Sequence, residues 1–140
     1  MTRSTRALIA ASALAAFATG CDNPFTDAPL EFRFTGAGIT APPGSLRTLE
    51  VQLVADGKPR PSREILFQAI PVGGSGAQVT LGPMNIDRPD HFHPYRRTTT
   101  NEQGRAFTQV RLGTVPGRAA VLVSSQGVQD TAWYTVQAAP

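Results

Sequence analysis

The chain has 140 residues, with 13 lysines and arginines, 10 aspartates and glutamates, two histidines and one cysteine. Charged residues make up only 16%, while glycine (13) and proline (12) are frequent; this balance excludes a long-helix or coiled-coil body and favours short strands joined by turns. Arg3 and Arg6 fall in an N-terminal segment without acids, so the remainder carries 11 basic against 10 acidic residues, a net of +1 that excludes the clustered positive footprint of a nucleic-acid binder.

Residues 1–20 have the three parts of an export signal: basic Arg3 and Arg6, an apolar stretch from Ala7 to Phe17, and small residues before a cleavage point. The apolar stretch is shorter than the roughly 20 residues that span a bilayer. Ala18-Thr19-Gly20-Cys21 resembles a bacterial lipobox, with alanine where leucine is commonest. That resemblance implies lipidation of Cys21 and a membrane partner reached through the lipid. Ordinary cleavage after Gly20 is the alternative, and it would leave an unpaired thiol in an oxidising compartment. Two acyl chains already suffice for firm anchoring, at about 0.8 kcal/mol per buried methylene. Asp22 leaves the choice between inner and outer membrane open. Residues 21–29 read as the lipidated cysteine and a proline-containing tether, and residues 30–140, about 110 residues, as one domain of sandwich size.

In chain order, Leu30, Phe32 and Phe34 alternate with Glu31 and Arg33, the period of a half-buried strand. A second strand runs from Arg47 to Ala55, with Leu49, Val51, Leu53 and Ala55 on one face. Asp56-Gly57 ends it, and Pro59 and Pro61 confine residues 58–63 to a turn or an edge. Ile65 and Phe67 mark a strand over 64–70, and a short strand is expected near 77–81. After the irregular stretch 82–95, strands are expected over 96–100, 106–112, 119–123 and 131–136, the last carrying Trp133 and Tyr134. Asn101 and Gly104 form a turn between the first two of these. Trp133 is expected in the core, because aromatics dominate sandwich interiors. With no helical period after Cys21, the fold class expected is all-β, an immunoglobulin-like antiparallel two-sheet sandwich of seven or eight strands.

Two stretches, VQLVADGKPRPSREILF and TTTNEQGRAFTQVRLGTVPGRAAVLV, resemble bacterial immunoglobulin-like domains of the Big-1 (invasin/intimin) type. Asp56, Gly57, Pro59, Ile65 and Phe67 carry the match in the first. Thr100, Gly104, Ala106, Leu112, Gly117 and Val121 carry it in the second. Arg60, Ser62, Arg63 and the proline-rich loop depart from the pattern. The resemblance, over roughly 47–136, implies the sandwich fold; family members often occur in tandem on outer-membrane adhesins, spacing a binding tip from the surface, but with one copy here adhesion is not carried over.

One cluster invites chemistry: NIDRPDHFHPYRR, inside the loop 82–97, holds both histidines. If residues 90–93 are extended, His91 and His93 share a side and could present two imidazoles to Zn²⁺ or Cu²⁺, with Asp87 or Asp90 as a third ligand. A bound metal needs three or four ligands, so the plainer expectation is a loop that packs Phe92 or Tyr95 on the sandwich edge. Tyr95 and its arginine neighbours also suit a protein or glycan partner. Ser124, His91 and Asp130 could be assembled on paper into a hydrolytic set, but no nucleophile motif frames any serine. Asp87 and Asp90 are expected to pair with Arg88 and Arg96. The sequence thus points to a noncatalytic envelope lipoprotein acting as a structural or interaction module, with a metal- or small-ligand-binding protein as the alternative and no cofactor implied.

Overall fold

Period-two alternation covers nearly the whole body, and each such run folds as a strand with one buried face. The computed structural model describes residues 29–138; the export segment, Cys21 and the tether up to residue 28 lie outside them. Ten strands follow in order: β1 (Leu30–Thr35), β2 (Ile39–Ala41), β3 (Leu46–Ala55), β4 (Lys58–Pro59), β5 (Glu64–Ile70), β6 (Val79–Gly82), β7 (Tyr95–Thr99), β8 (Arg105–Leu112), β9 (Gly117–Ser125) and β10 (Val128–Val136). One sheet has the order β1-β3-β8-β6, with β4 beside the end of β3, and the other has the order β2-β10-β9-β5-β7. The architecture is the immunoglobulin-like sandwich expected. Its strand count exceeds seven or eight because β2 and β4 add pieces of three and two residues. The β2–β10 pairing is parallel, whereas the other pairings are antiparallel.

The core lies between the inner faces. Leu49, Val51 and Leu53 of β3 and Val110 and Leu112 of β8 meet Ile65 and Phe67 of β5 and Val121 and Val123 of β9, all essentially without exposure. Each such burial contributes roughly 1.5–3 kcal/mol, and a one-residue slip in any strand would turn its set outward, which fixes the register.

Trp133 is not in that core, contrary to expectation. On β10 it is Ala132, Tyr134 and Val136 that are buried, so Trp133 takes the outer face. It is 39% exposed, with the Arg118 guanidinium 4.1 Å over its ring. Alternation, not ring size, decides which aromatic is inside. The buried Tyr134 hydroxyl has no hydrogen-bond partner among the described residues, and burial pushes its phenol pKa up.

Each end of the sandwich is closed by its own hydrogen bonds. At the pole where β1 begins, Asn101 Oδ1 accepts from the amides of Gln103 and Arg105, and Leu53 N–H donates to Gly104 O at 2.8 Å. Arg60 N–H donates to Leu53 O, and the buried Thr100 Oγ1 accepts from Arg63 N–H and donates to Arg60 O at 2.7 Å. Ser125 Oγ then donates to Glu64 O at 2.7 Å, which ties the second sheet to the same pole. At the opposite pole, Gly44 N–H and Leu112 N–H link the start of β3 to the end of β8, and Gln137 N–H donates to Ala41 O. The described chain therefore enters at one pole, at Leu30, and leaves at the other, after Val136.

Candidate functional site

The loop after β6 is built onto the outer face of the first sheet. Outward-facing Gln109 of β8 donates through Nε2 to the carbonyls of Pro83 (2.6 Å) and Ile86 (3.0 Å), and Thr108 Oγ1 donates to Gly82 O at 3.1 Å. Asp87 pairs with Arg111, whose guanidinium lies 4.5 Å from the centre of the Phe92 ring. Phe92 is 8% exposed and rests on Gly82, where any Cβ would stand 2.7 Å from the ring. The loop is thus pinned at both ends, and Phe92, not Tyr95, is the aromatic that packs.

Pro89 then shapes the part that holds the histidines. Its fixed φ starts a 3-10 turn over Pro89–His91, closed by His91 N–H to Arg88 O (2.9 Å) and Phe92 N–H to Pro89 O (3.2 Å). Asp90 and His91 are therefore not extended, and the premise that placed His91 and His93 side by side does not hold. His91 Nε2 lies 3.9 Å from Asp90 Oδ2, within the loop itself. His93 bridges to Leu81 through both backbone groups, at 2.8 and 2.9 Å, while its side chain is exposed. Among the described residues, no three His, Cys, Asp or Glu side chains converge on a point that could hold a metal.

Expected ion pairs are redistributed. Asp87 takes Arg111 from another strand, and Asp90 lies 3.7 Å from Arg88. Arg96 pairs with neither. It stands opposite Phe67 in the β5–β7 ladder, so it faces the inter-sheet space at the sandwich edge. Burial lowers its pKa, and its Nε has no partner among the described residues. An inward charge on an edge strand hinders another chain from adding to that edge.

Tyr95 and Arg97 occupy the other face of β7, opposite Gln68 and Leu66. Tyr95 is 60% exposed. Arg97 Nη1 lies 3.4 Å from Glu64 Oε1, and Leu66 in turn neighbours Ser124 of β9. Arg97, Glu64, Leu66 and Ser124, together with Arg63 and Gln126, line an open depression of about 380 Å³. It lacks the imidazole that would make Ser124 a nucleophile: Ser124 sits on the outer face of the second sheet, whereas His91 belongs to the loop docked on the first. Asp130 accepts from Thr131 N–H at 2.8 Å within its own strand. Cys21 lies outside the described residues.

Gln109 and Arg111 are the site residues that sequence reading misses. Their outward position on β8 is legible from alternation, but nothing in the sequence says that the loop folds back onto them.

No protein-family model and no curated protein sequence matches the chain. Among solved structures, its sandwich has the fold of the immunoglobulin-like domains of the invasin/intimin adhesins. It aligns with the D00-D0 domain of Intimin at a TM-score of 0.53 and 12% identity, over 84% of this chain and 52% of that one. The Yersinia pseudotuberculosis adhesin InvE gives a TM-score of 0.54 and 16% identity, over 76% of this chain and 31% of that one. A lipoprotein from Bacteroides thetaiotaomicron gives 0.50 and 13%, over 81% of this chain and 83% of that one. The chain spans only about a third to a half of the two adhesin structures, and at these identities the shared property is the fold.

Proposed function

We propose that the protein is a noncatalytic lipoprotein of the bacterial envelope, in which an immunoglobulin-like sandwich stands on a lipid anchor at Cys21 and presents its far pole and loops to a protein or glycan partner. The observation that carries this reading is the path of the chain, in at the Leu30 pole and out at the Val136 pole. A tether at Cys21 then leaves the pole of the β3–β4 and β9–β10 turns near the membrane, and the glycine-rich loops before β6 and β9 farthest from it. The eight residues between Cys21 and Leu30 reach at most about 28 Å, so the domain is held close to the surface. What supports a noncatalytic role is that His91 belongs to the loop docked on the first sheet, whereas Ser124 and Asp130 lie on the second. Solved structures of the same fold include adhesins and a lipoprotein.

The test is the mass of the N-terminal peptide and the fate of a Cys21→Ala variant. Lipidation predicts a peptide that begins at Cys21 and carries acyl chains, and a variant that leaves the membrane fraction. An unmodified N-terminus with unchanged fractionation would refute the anchor.

A further inference from the structure

We propose that the sandwich is a tension-resisting link, whose first and last strands are arranged to shear rather than peel when its two ends are pulled apart. This deepens the pole-to-pole reading and rests on it. A pull on the ends draws Leu30 outward along the axis of β1 and Val136 outward along the axis of β10, in opposite directions. β1 is held to β3 by six register pairs, from Leu30–Ala55 to Thr35–Glu50. β10 is held to β9 by nine, from Val128–Ser125 to Val136–Gly117. Inter-strand hydrogen bonds in such antiparallel ladders stand across the strands, so an axial pull loads all the bonds of a ladder together.

Behind this lies a second lock, and it joins the two loaded ends directly to each other. Gly36, Ala37 and Gly38 separate β1 from β2, and β2 pairs with β10 through Ile39–Tyr134, Thr40–Thr135 and Ala41–Val136. Gly38 N–H to Trp133 O (2.7 Å) and Gln137 N–H to Ala41 O (2.8 Å) flank those pairs. Because β2 and β10 run in the same direction, a pull on the N-side of β2 and on the C-side of β10 slides one along the other. The inner side of this patch is sealed, since Ala41, Tyr134 and Val136 are each about 1% exposed. Water thus reaches these bonds from one side only. If β1 slips from β3, Phe32 is drawn from the edge of the core and the tension passes to β2 and β10.

Single-molecule force spectroscopy on the full chain tests this. Cys21 is the only cysteine, and in chain made without lipid its thiol supplies one handle. The second handle is a cysteine at Ala138→Cys, at the far pole, or at Gln129→Cys, near the pole where β1 begins. Both variants share one fold and differ in pulling direction, and matched urea melts confirm equal stability. We expect a rupture force several-fold higher for the Cys21–138 pull than for the Cys21–129 pull. In the first geometry Ala41→Pro should lower the force, because the Ala41 C=O accepts from Gln137 N–H and its N–H therefore faces β10 as well. Equal forces in the two directions, or a Cys21–138 force insensitive to Ala41→Pro, would overturn the proposal. Neither result touches the lipid on Cys21, so the anchoring reading stands or falls by its own peptide mass.

Discussion

Gly57 and Gly104 share a backbone conformation, with φ +74 at both, yet differ completely in surroundings. An alanine in the left-handed region costs roughly 1–2 kcal/mol, and this is all that Gly57→Ala should lose, because nothing lies within 4 Å of the point where its Cβ would stand. At Gly104 the added carbon would stand 2.7 Å from Leu53 O, 2.9 Å from Arg60 N and 3.1 Å from Pro59 Cβ. Two of those atoms belong to the Arg60 N–H to Leu53 O bond, and Gly104 O itself accepts from Leu53 N–H. Displacing both bonds adds about 1 kcal/mol each, so Gly104→Ala should lose roughly 3–4 kcal/mol in all. For a domain of this size the difference of about 2 kcal/mol corresponds to roughly 8–16 °C in Tm. Urea melts followed by the fluorescence of Trp133, the only tryptophan, measure it. Equal losses for the two variants would refute the close packing of this turn against the end of β3.

Tyr134→Phe removes a buried hydroxyl without a partner among the described residues, so the variant should be as stable as the parent or up to about 1–2 kcal/mol more stable; a clear loss in a urea melt would contradict the placement. The raised phenol pKa has a matching pH signature: the unfolded chain gives up that proton first, so the contribution is whole below pH of about 10 and is lost as pH climbs from there towards the folded value, which thermal melts across alkaline pH will show. Arg96→Val should raise Tm by removing a desolvated cation, and should also raise self-association in sedimentation velocity by leaving the β7 edge unguarded. Gln109→Ala should cost about 1–3 kcal/mol and speed proteolysis within 83–91, since Gln109 bonds Pro83 and Ile86; unchanged cleavage would mean that the loop is held by Phe92 and Arg111 alone.

Much of this architecture is written in period-two alternation. The inner face Leu49-Val51-Leu53-Ala55 and the Asn101–Gly104 turn follow from side-chain spacing and turn chemistry. β2 escapes such a reading because its three residues lie between Gly38 and Pro42, where punctuation hides so short an alternation. Trp133 is misplaced when a composition preference is set above the register that Tyr134 and Val136 impose. At the loop the failure is local: alternation does not continue through Pro89-Asp90-His91, because proline starts a turn there instead. The partners of Asp87 and of the Pro83 and Ile86 carbonyls come from β8, more than twenty residues away, and no local pattern announces them.

The distance between the two ends of the domain tests the account most directly. Spin labels at Pro29→Cys and Ala138→Cys, with Cys21→Ser, report it by pulsed electron resonance. Strands β3 and β10 have ten and nine residues, and at ~3.3 Å per residue the poles lie roughly 30 Å apart, which is the separation expected. A distance under about 15 Å, near the ~10 Å spacing of two stacked sheets, would put both ends at one pole and contradict both the proposed presentation from the membrane and the shear lock.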